Sequence, residues 1–180
     1  MLNMSGFVDN HLTTERGDVV VAQASPRDAV AILRLRDALA VWMVEHGIDQ
    51  WRPSDLPLSW IELCVAQGWV FAARRDDDLI GSLTLVWDDP FVWGSRNEAA
   101  GYVHMVMVDR AFARQGLGRS LLGWAERQIT RAGHRRARLD CVRTNVALRE
   151  YYEHAGYVLV GNREFAGGVP AVALYEKALV

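Results

Sequence analysis

No apolar run in this 180-residue chain approaches the ~18 residues that a membrane-spanning helix needs, so an integral membrane protein is excluded and no membrane partner is expected. Cysteine is scarce: Cys64 and Cys141 are the whole supply, and they fall in different predicted elements. The amino end lacks the basic-then-apolar order of a secretory leader, and a reducing cytoplasmic setting is expected. Excess charge of either sign is missing. The formal net charge is -2 and the pI about 6.2, so the chain has no global basic field and no nucleic-acid partner is expected. His11, His46 and His154 are dispersed, and no His/Cys/Asp/Glu cluster has metal-ligand spacing, so no metal is expected. There is no GxSxG elbow, and neither cysteine carries a flanking nucleophile motif, which disfavours a covalent acyl-enzyme.

What is present is a composition able to bury one core, 51% hydrophobic and 23% charged. Residues 1–18 are polar and aperiodic and read as a flexible tail; residues 19–180 read as one domain. Val19 to Ala24 is a β-branched run, and Ser25-Pro26 signals a helix start. From Asp28 to about Glu45, Val30, Leu33, Ala38, Val41, Trp42 and Val44 broadly follow the helical period, and Gly47 ends it. A second helix is expected from Leu58 to Gln67. Val70 to Ala73 and Leu79 to Trp87 flank a charged connector of hairpin length, and Asp88-Asp89-Pro90 breaks the second run. Gly101 to Val108 is too apolar for an exposed strand and reads as central. A helix with Leu121, Leu122, Ala125, Ile129 and Ala132 follows and stops at Gly133. A strand from Arg138 to Val142, a helix from Val146 to His154 and two final strands complete the order βααβββαβαββ.

Between the central strand and its helix stands Ala113-Arg-Gln-Gly-Leu-Gly-Arg-Ser-Leu-Leu122. A helix amino terminus presents unpaired N–H groups and a partial positive charge, and Gly116 and Gly118 let that backbone come close to an anion. A P-loop needs a lysine after its second glycine, whereas Arg119 stands here; a dinucleotide fingerprint needs a third glycine, whereas Leu121 stands there.

These residues resemble the GNAT superfamily of acetyl-CoA-dependent N-acetyltransferases. The resemblance spans roughly residues 19 to 177 and is sharpest from Tyr102 to Tyr157. Gly116 and Gly118 match that superfamily's [QR]xxGx[GA] loop. Ala113 departs from its first position, and Arg114 supplies the charge one residue later. Asn145, Tyr152 and Gly156-Tyr157 match the second signature. The resemblance implies an α/β fold with a mixed, mostly antiparallel sheet splayed in the middle. It implies that Arg114, Gln115, Gly116, Leu117, Gly118, Arg119 and Ser120 take the pyrophosphate of acetyl-CoA. It further implies that Val106, Met107 and Val108 pair with the pantetheine arm, that Asn145 holds that arm from the other side, and that Tyr152 is the general acid.

Amide formation needs a neutral amine, so a base must take the proton of an alkylammonium of pKa about 10. His104 falls mid-strand beside the expected pantetheine track and titrates near neutrality. Glu98, Asp88 and Asp89 lie on the preceding loop, placed to relay that proton. The resemblance assigns the acceptor to the early helices and neighbouring loops, where Trp42, Trp51, Trp60, Trp87, Trp93 and Phe165 stand, with His46 to Trp51 where a lid would be. The expected activity is acetylation of a small-molecule primary amine by direct attack. A protein amino terminus or lysine as acceptor, and a non-catalytic acyl-CoA sensor, are the alternatives. An exposed apolar edge strand would suggest a homodimer. The run His134 to Arg138 reads as a solvated helix end or a contact for the cofactor's ribose phosphate.

Overall fold

A computed structural model describes residues 10–14, 17–94 and 99–180. Eight strands form one sheet: β1 (His11–Thr14), β2 (Gly17–Gln23), β3 (Val70–Arg75), β4 (Asp78–Val86), β5 (Gly101–Val108), β6 (Arg136–Val142), β7 (Val158–Arg163) and β8 (Val172–Ala178). Their spatial order is β1-β2-β3-β4-β5-β6-β8-β7, and every neighbouring pair is antiparallel except β5 and β6. That parallel pair is held only at Gly101–Ala137 and Tyr102–Arg138. Beyond Tyr102 the two strands part, so the splay expected in the middle of the sheet is present.

The helices are α1 (Ala29–Glu45), α2 (Leu58–Ala66), α3 (Pro90–Trp93), α4 (Leu117–Arg131) and α5 (Val146–His154). Local chemistry sets their ends. The Ser25 amide donates to the Asp28 carboxylate at 2.7 Å, closing a capping box before α1, while Gly47, Gly133 and Gly156 adopt positive φ just past helix ends. One face of the sheet is covered by α1 and α2, through Ile32, Leu35, Leu39, Ile61 and Val65 against Val70, Ala72 and Met107. The other is covered by α4, whose Leu121, Leu122, Trp124, Ala125 and Ile129 pack on Phe71, Leu83, Val103 and Leu139.

Three expectations need correction. His11–Thr14, within the segment read as a tail, pairs with β2 from Thr14–Gly17 to His11–Val20. The buried side of α1 is Ile32, Leu35 and Leu39, whereas Val30, Val41 and Val44 are exposed. The helix carries apolar residues on both sides, and its one-dimensional period does not reveal which side meets the sheet. The loop after β4 contains the one-turn α3, started by Pro90 and capped by Asp89, whose Oδ1 accepts from the Val92 amide at 3.1 Å.

Candidate functional site

After β5 the chain makes a short turn, closed by the Asp109 carboxylate accepting from the Ala111 amide at 2.8 Å, and then reverses through left-handed residues Arg114 (φ 60°) and Gly116 (φ 75°). Gly116 caps α4 without a side chain, and the first helical bond is Ser120 N–H to the Gly116 carbonyl at 3.0 Å. The amides of Leu117, Gly118 and Arg119 therefore have no partner within the helix and point out of its end. Gly118 is closely approached: a Cβ there would lie 3.1 Å from the Tyr151 hydroxyl, a tight contact, and 3.7 Å from Val108 Cγ2.

This helix end closes one side of a cleft of about 520 Å³ running along β5 into the splay. Of the expected cofactor residues, Val106, Val108, Arg114, Gly116, Leu117, Gly118 and Arg119 line it. The others sit differently. Met107 is buried beneath α1 and α2 and offers only its backbone; Gln115 turns back to donate to the Ala111 carbonyl at 3.1 Å. Ser120 lies one turn into α4, outside the cleft wall. Asn145 spends its polar atoms on the fold: its Oδ1 accepts from the Leu148 amide at 3.1 Å, capping α5, and its Nδ2 donates to Gln50 Oε1 at 2.8 Å. Gln50, from the expected lid, is the residue of that pair that lines the cleft.

Two features of β5 prepare its edge. From Val103 to Val108 it has no paired strand on the β6 side among the described residues. A bulge also interrupts its ladder with β4: Ser82 pairs with Met107 and Thr84 with His104, so Met105 (φ 49°) and Val106 face the single residue Leu83. Peptide groups beside the splay are thus left for a ligand strand.

His104 precedes the bulge and is clasped from both sides. Its Nε2 lies 3.2 Å from Asp89 Oδ2 and its Nδ1 lies 3.4 Å from Asp140 Oδ1. Burial alone would disfavour the charged ring, but hydrogen bonds and attraction from Asp140 and Asp89 outweigh it and raise the His104 pKa to about 9. The imidazole is therefore a cation at neutral pH. The three side chains bring ligand-type atoms within 4.8 Å of one another, but with each ring nitrogen facing its own carboxylate the grouping fits an imidazolium. Asp140 was missed as a site residue; its only local signal is a carboxylate inside the apolar run Leu139-Asp140-Cys141. Glu98 lies outside the described residues.

Tyr152 and Tyr151 both line the cleft from α5. The Tyr152 ring is buried among Tyr151, Tyr157 and Tyr175, at centroid distances of 5.5, 6.1 and 6.2 Å, and this burial pushes its phenol pKa up. Burial, with a smaller contribution from Asp140, also pushes the Cys141 thiol up to about 12, and Cys64 is raised by burial, so neither is poised as a thiolate.

The expected acceptor aromatics separate into different places. Trp42 and Trp51 line the first cleft, with the Arg110 guanidinium 3.8 Å from the centre of the Trp42 ring. Trp60 lines a second cavity of about 510 Å³ that shares His104 and Met105 with the cleft as lining residues. Trp93 is buried against Arg138, Trp87 packs on His134, and Phe165 stacks on Phe91. The basic run also does other work. Arg138 is fully buried, donating to Glu176 at 2.8 Å and to the Tyr102 hydroxyl at 2.9 Å, and none of 134–138 borders the cleft.

A splayed mixed sheet, a glycine-capped helix end and an open strand edge are the arrangement that the sequence resemblance implies. The family model "Acetyltransferase (GNAT) family" matches residues 34–157, and the chain belongs to that family. It is 34% identical over 142 residues to a Bacillus subtilis (strain 168) protein named as the uncharacterized N-acetyltransferase YesJ, covering 74% of this chain and 78% of that one. Its fold is similar to a GNAT-family acetyltransferase of Listeria monocytogenes 4b F2365, with a TM-score of 0.79 and 27% identity over 94% of this chain and all of the other. It is also similar in fold to the yncA protein of Salmonella typhimurium, solved with its cofactor acetyl-CoA. There the TM-score is 0.64 at 17% identity, over 90% of this chain and 94% of the other. Among the described residues, no helix is long and apolar enough to cross a membrane.

Proposed function

We propose that the enzyme transfers acetyl from acetyl-CoA to the primary amine of a small molecule by direct attack. One observation carries the reading. The unpaired amides at the head of α4 and the open edge of β5 line a single cleft, which leads from an anion site to His104. In this reading the segment 114–120 holds the pyrophosphate, and the backbone of Val106 to Val108 pairs with the pantetheine arm. Asn145 acts on that arm through Gln50, which it orients.

The amine nitrogen then attacks the thioester carbon. From the alkylammonium, the new C–N bond forms, the C–S bond breaks, the nitrogen loses two protons and the sulfur gains one. The first goes to His104 before attack and from there to water; the second, freed as the C–N bond forms, replaces the proton that Tyr152 gives the sulfur. Neutral His104 takes the first proton; its affinity, near that of an alkylammonium, suits the transfer but leaves only a small fraction of the ring neutral at pH 7. Asp89 and Asp140 hold the resulting imidazolium. Tyr152 gives the sulfur its proton, and burial keeps its phenol protonated for that transfer. Developing charge on the carbonyl oxygen is met by a backbone N–H near the bulge. The exposed edge residues Val158, Leu159 and Val160 on β7 support pairing of two copies.

Calorimetric titration with acetyl-CoA, its dephospho form and a dinucleotide tests the donor assignment. Thiol release with small amines and with peptides then tests the acceptor. Binding of acetyl-CoA but not the dinucleotide, with thiol release driven by small amines, is the expected result. Turnover confined to peptides would replace the small-molecule acceptor with a protein one, and binding without thiol release would indicate a sensor.

A further inference from the structure

The second cavity lies between α2 and the β4–β5 pair, and its composition is unlike that of the cleft. Trp60 and Trp69 line it while 40% and 38% exposed, and Thr84 and Val86 add to its wall from β4. Trp87 borders it too, but its ring is turned to His134 at 5.0 Å. Asp88 and Asp89 bring two carboxylates, and no arginine or lysine is among the described residues that line it. Asp89 is partly neutralised by His104. Asp88 is exposed and has no ion-pair partner among the described residues.

Aromatic walls with uncompensated negative charge favour a cation carried on an apolar body, since indole faces attract ammonium groups and their area buries the rest. The volume of about 510 Å³ suits a small molecule, within the roughly 300–1,000 Å³ typical of ligand sites. His104 and Met105 line both cavities, so the two are neighbours at the bulge. An amine seated in the second cavity would lie beside His104, the same residue that borders the cleft where a thioester would stand.

We infer that this cavity is the acceptor chamber and that it selects primary arylalkylammonium compounds lacking a carboxylate next to the amine. The inference rests on the proposed acetylation for its chemistry, but the ligand class follows from the cavity itself. An α-carboxylate would stand against Asp88 and Asp89, and the one cation lining the cavity, His104, already has its two ring nitrogens facing Asp89 and Asp140. A bare short alkylammonium would leave the Trp60 and Trp69 surfaces uncovered.

Three probes isolate these elements: 2-phenylethylammonium, phenylalanine, which adds the carboxylate, and ethylammonium, which removes the ring. Direct calorimetry of each on the cofactor-free protein is paired with thiol-release kinetics with acetyl-CoA. Phenylethylammonium should bind about tenfold or more tightly than either control, with a correspondingly lower KM. Trp60→Ala, on the exposed side of α2, should weaken it about tenfold while leaving acetyl-CoA affinity unchanged. Asp88→Asn should weaken it severalfold at low salt and less at high salt. Equal binding of phenylethylammonium and phenylalanine, or indifference to both substitutions, would overturn the chamber. Failure of acetyl-CoA to bind would instead remove the acetylation reading, leaving the chamber to be judged by amine binding alone.

Discussion

The two cavities that His104 borders are built by different means. The cleft at the head of α4 uses backbone: amides of Leu117, Gly118 and Arg119, and a strand edge exposed because β6 departs after Tyr102. The second cavity uses side chains, the indoles of Trp60 and Trp69 and the carboxylates of Asp88 and Asp89. A backbone site depends on conformation and accepts many side chains around it, whereas a side-chain site changes its ligand when one residue changes. A shared donor and a private acceptor would produce this division, and four experiments can break or sharpen it.

The largest effect is expected from Tyr152→Phe, which removes the proposed proton donor with little change in shape. Its kcat should fall about a hundredfold or more while acetyl-CoA affinity holds, as single-turnover and calorimetric measurements will show. A wild-type rate at saturating cofactor would remove Tyr152 from the mechanism and leave Tyr151 as the neighbour to test.

Next comes Gly118→Asp. A side chain there meets the Tyr151 hydroxyl at 3.1 Å and sets a carboxylate where the pyrophosphate should lie, so acetyl-CoA affinity should drop by about two orders of magnitude. Binding of phenylethylammonium should survive, separating the two cavities. Unchanged acetyl-CoA affinity would sink the pyrophosphate assignment.

The third effect is one of pH. With His104 as base at a pKa of about 9, kcat/KM should climb about tenfold per unit from pH 7 and level near pH 9. Asp140→Asn removes an anion that favours the imidazolium, so the midpoint should move to lower pH; Asp89→Asn should do the same. A flat profile, or no movement in either variant, would show that His104 is a structural cation. The same raised pKa predicts stabilisation that is complete below about pH 6.5 and lost as pH rises through 9, readable in urea midpoints across that window.

The smallest effect belongs to Asn145→Ala. It removes the α5 cap and the link to Gln50, at a cost of about 1 kcal/mol in unfolding free energy. Asn145→Asp keeps the cap but loses the amide donor. It should restore stability while still raising the KM for acetyl-CoA if Gln50 needs that partner.

Residue by residue, the chain itself specified what depends on near neighbours. Ser25-Pro26, Gly47, Gly116, Gly133 and Asn145 mark helix ends because capping and positive φ involve atoms a few residues apart. The strand–glycine–helix order exposed the anion site for the same reason. Tertiary structure alone decided the rest. It chose the Ile32-Leu35-Leu39 side of α1 over the Val30 and Val41 side, paired His11–Thr14 with β2, and buried Arg138 in a run that reads as solvated. It also brought Asp89, His104 and Asp140 together from three elements, turning a histidine with an ordinary affinity for protons into one held charged at neutral pH. Such pairings are set by sheet order and strand separation, which depend on the packing of the whole chain and leave no local mark beside the residues they join.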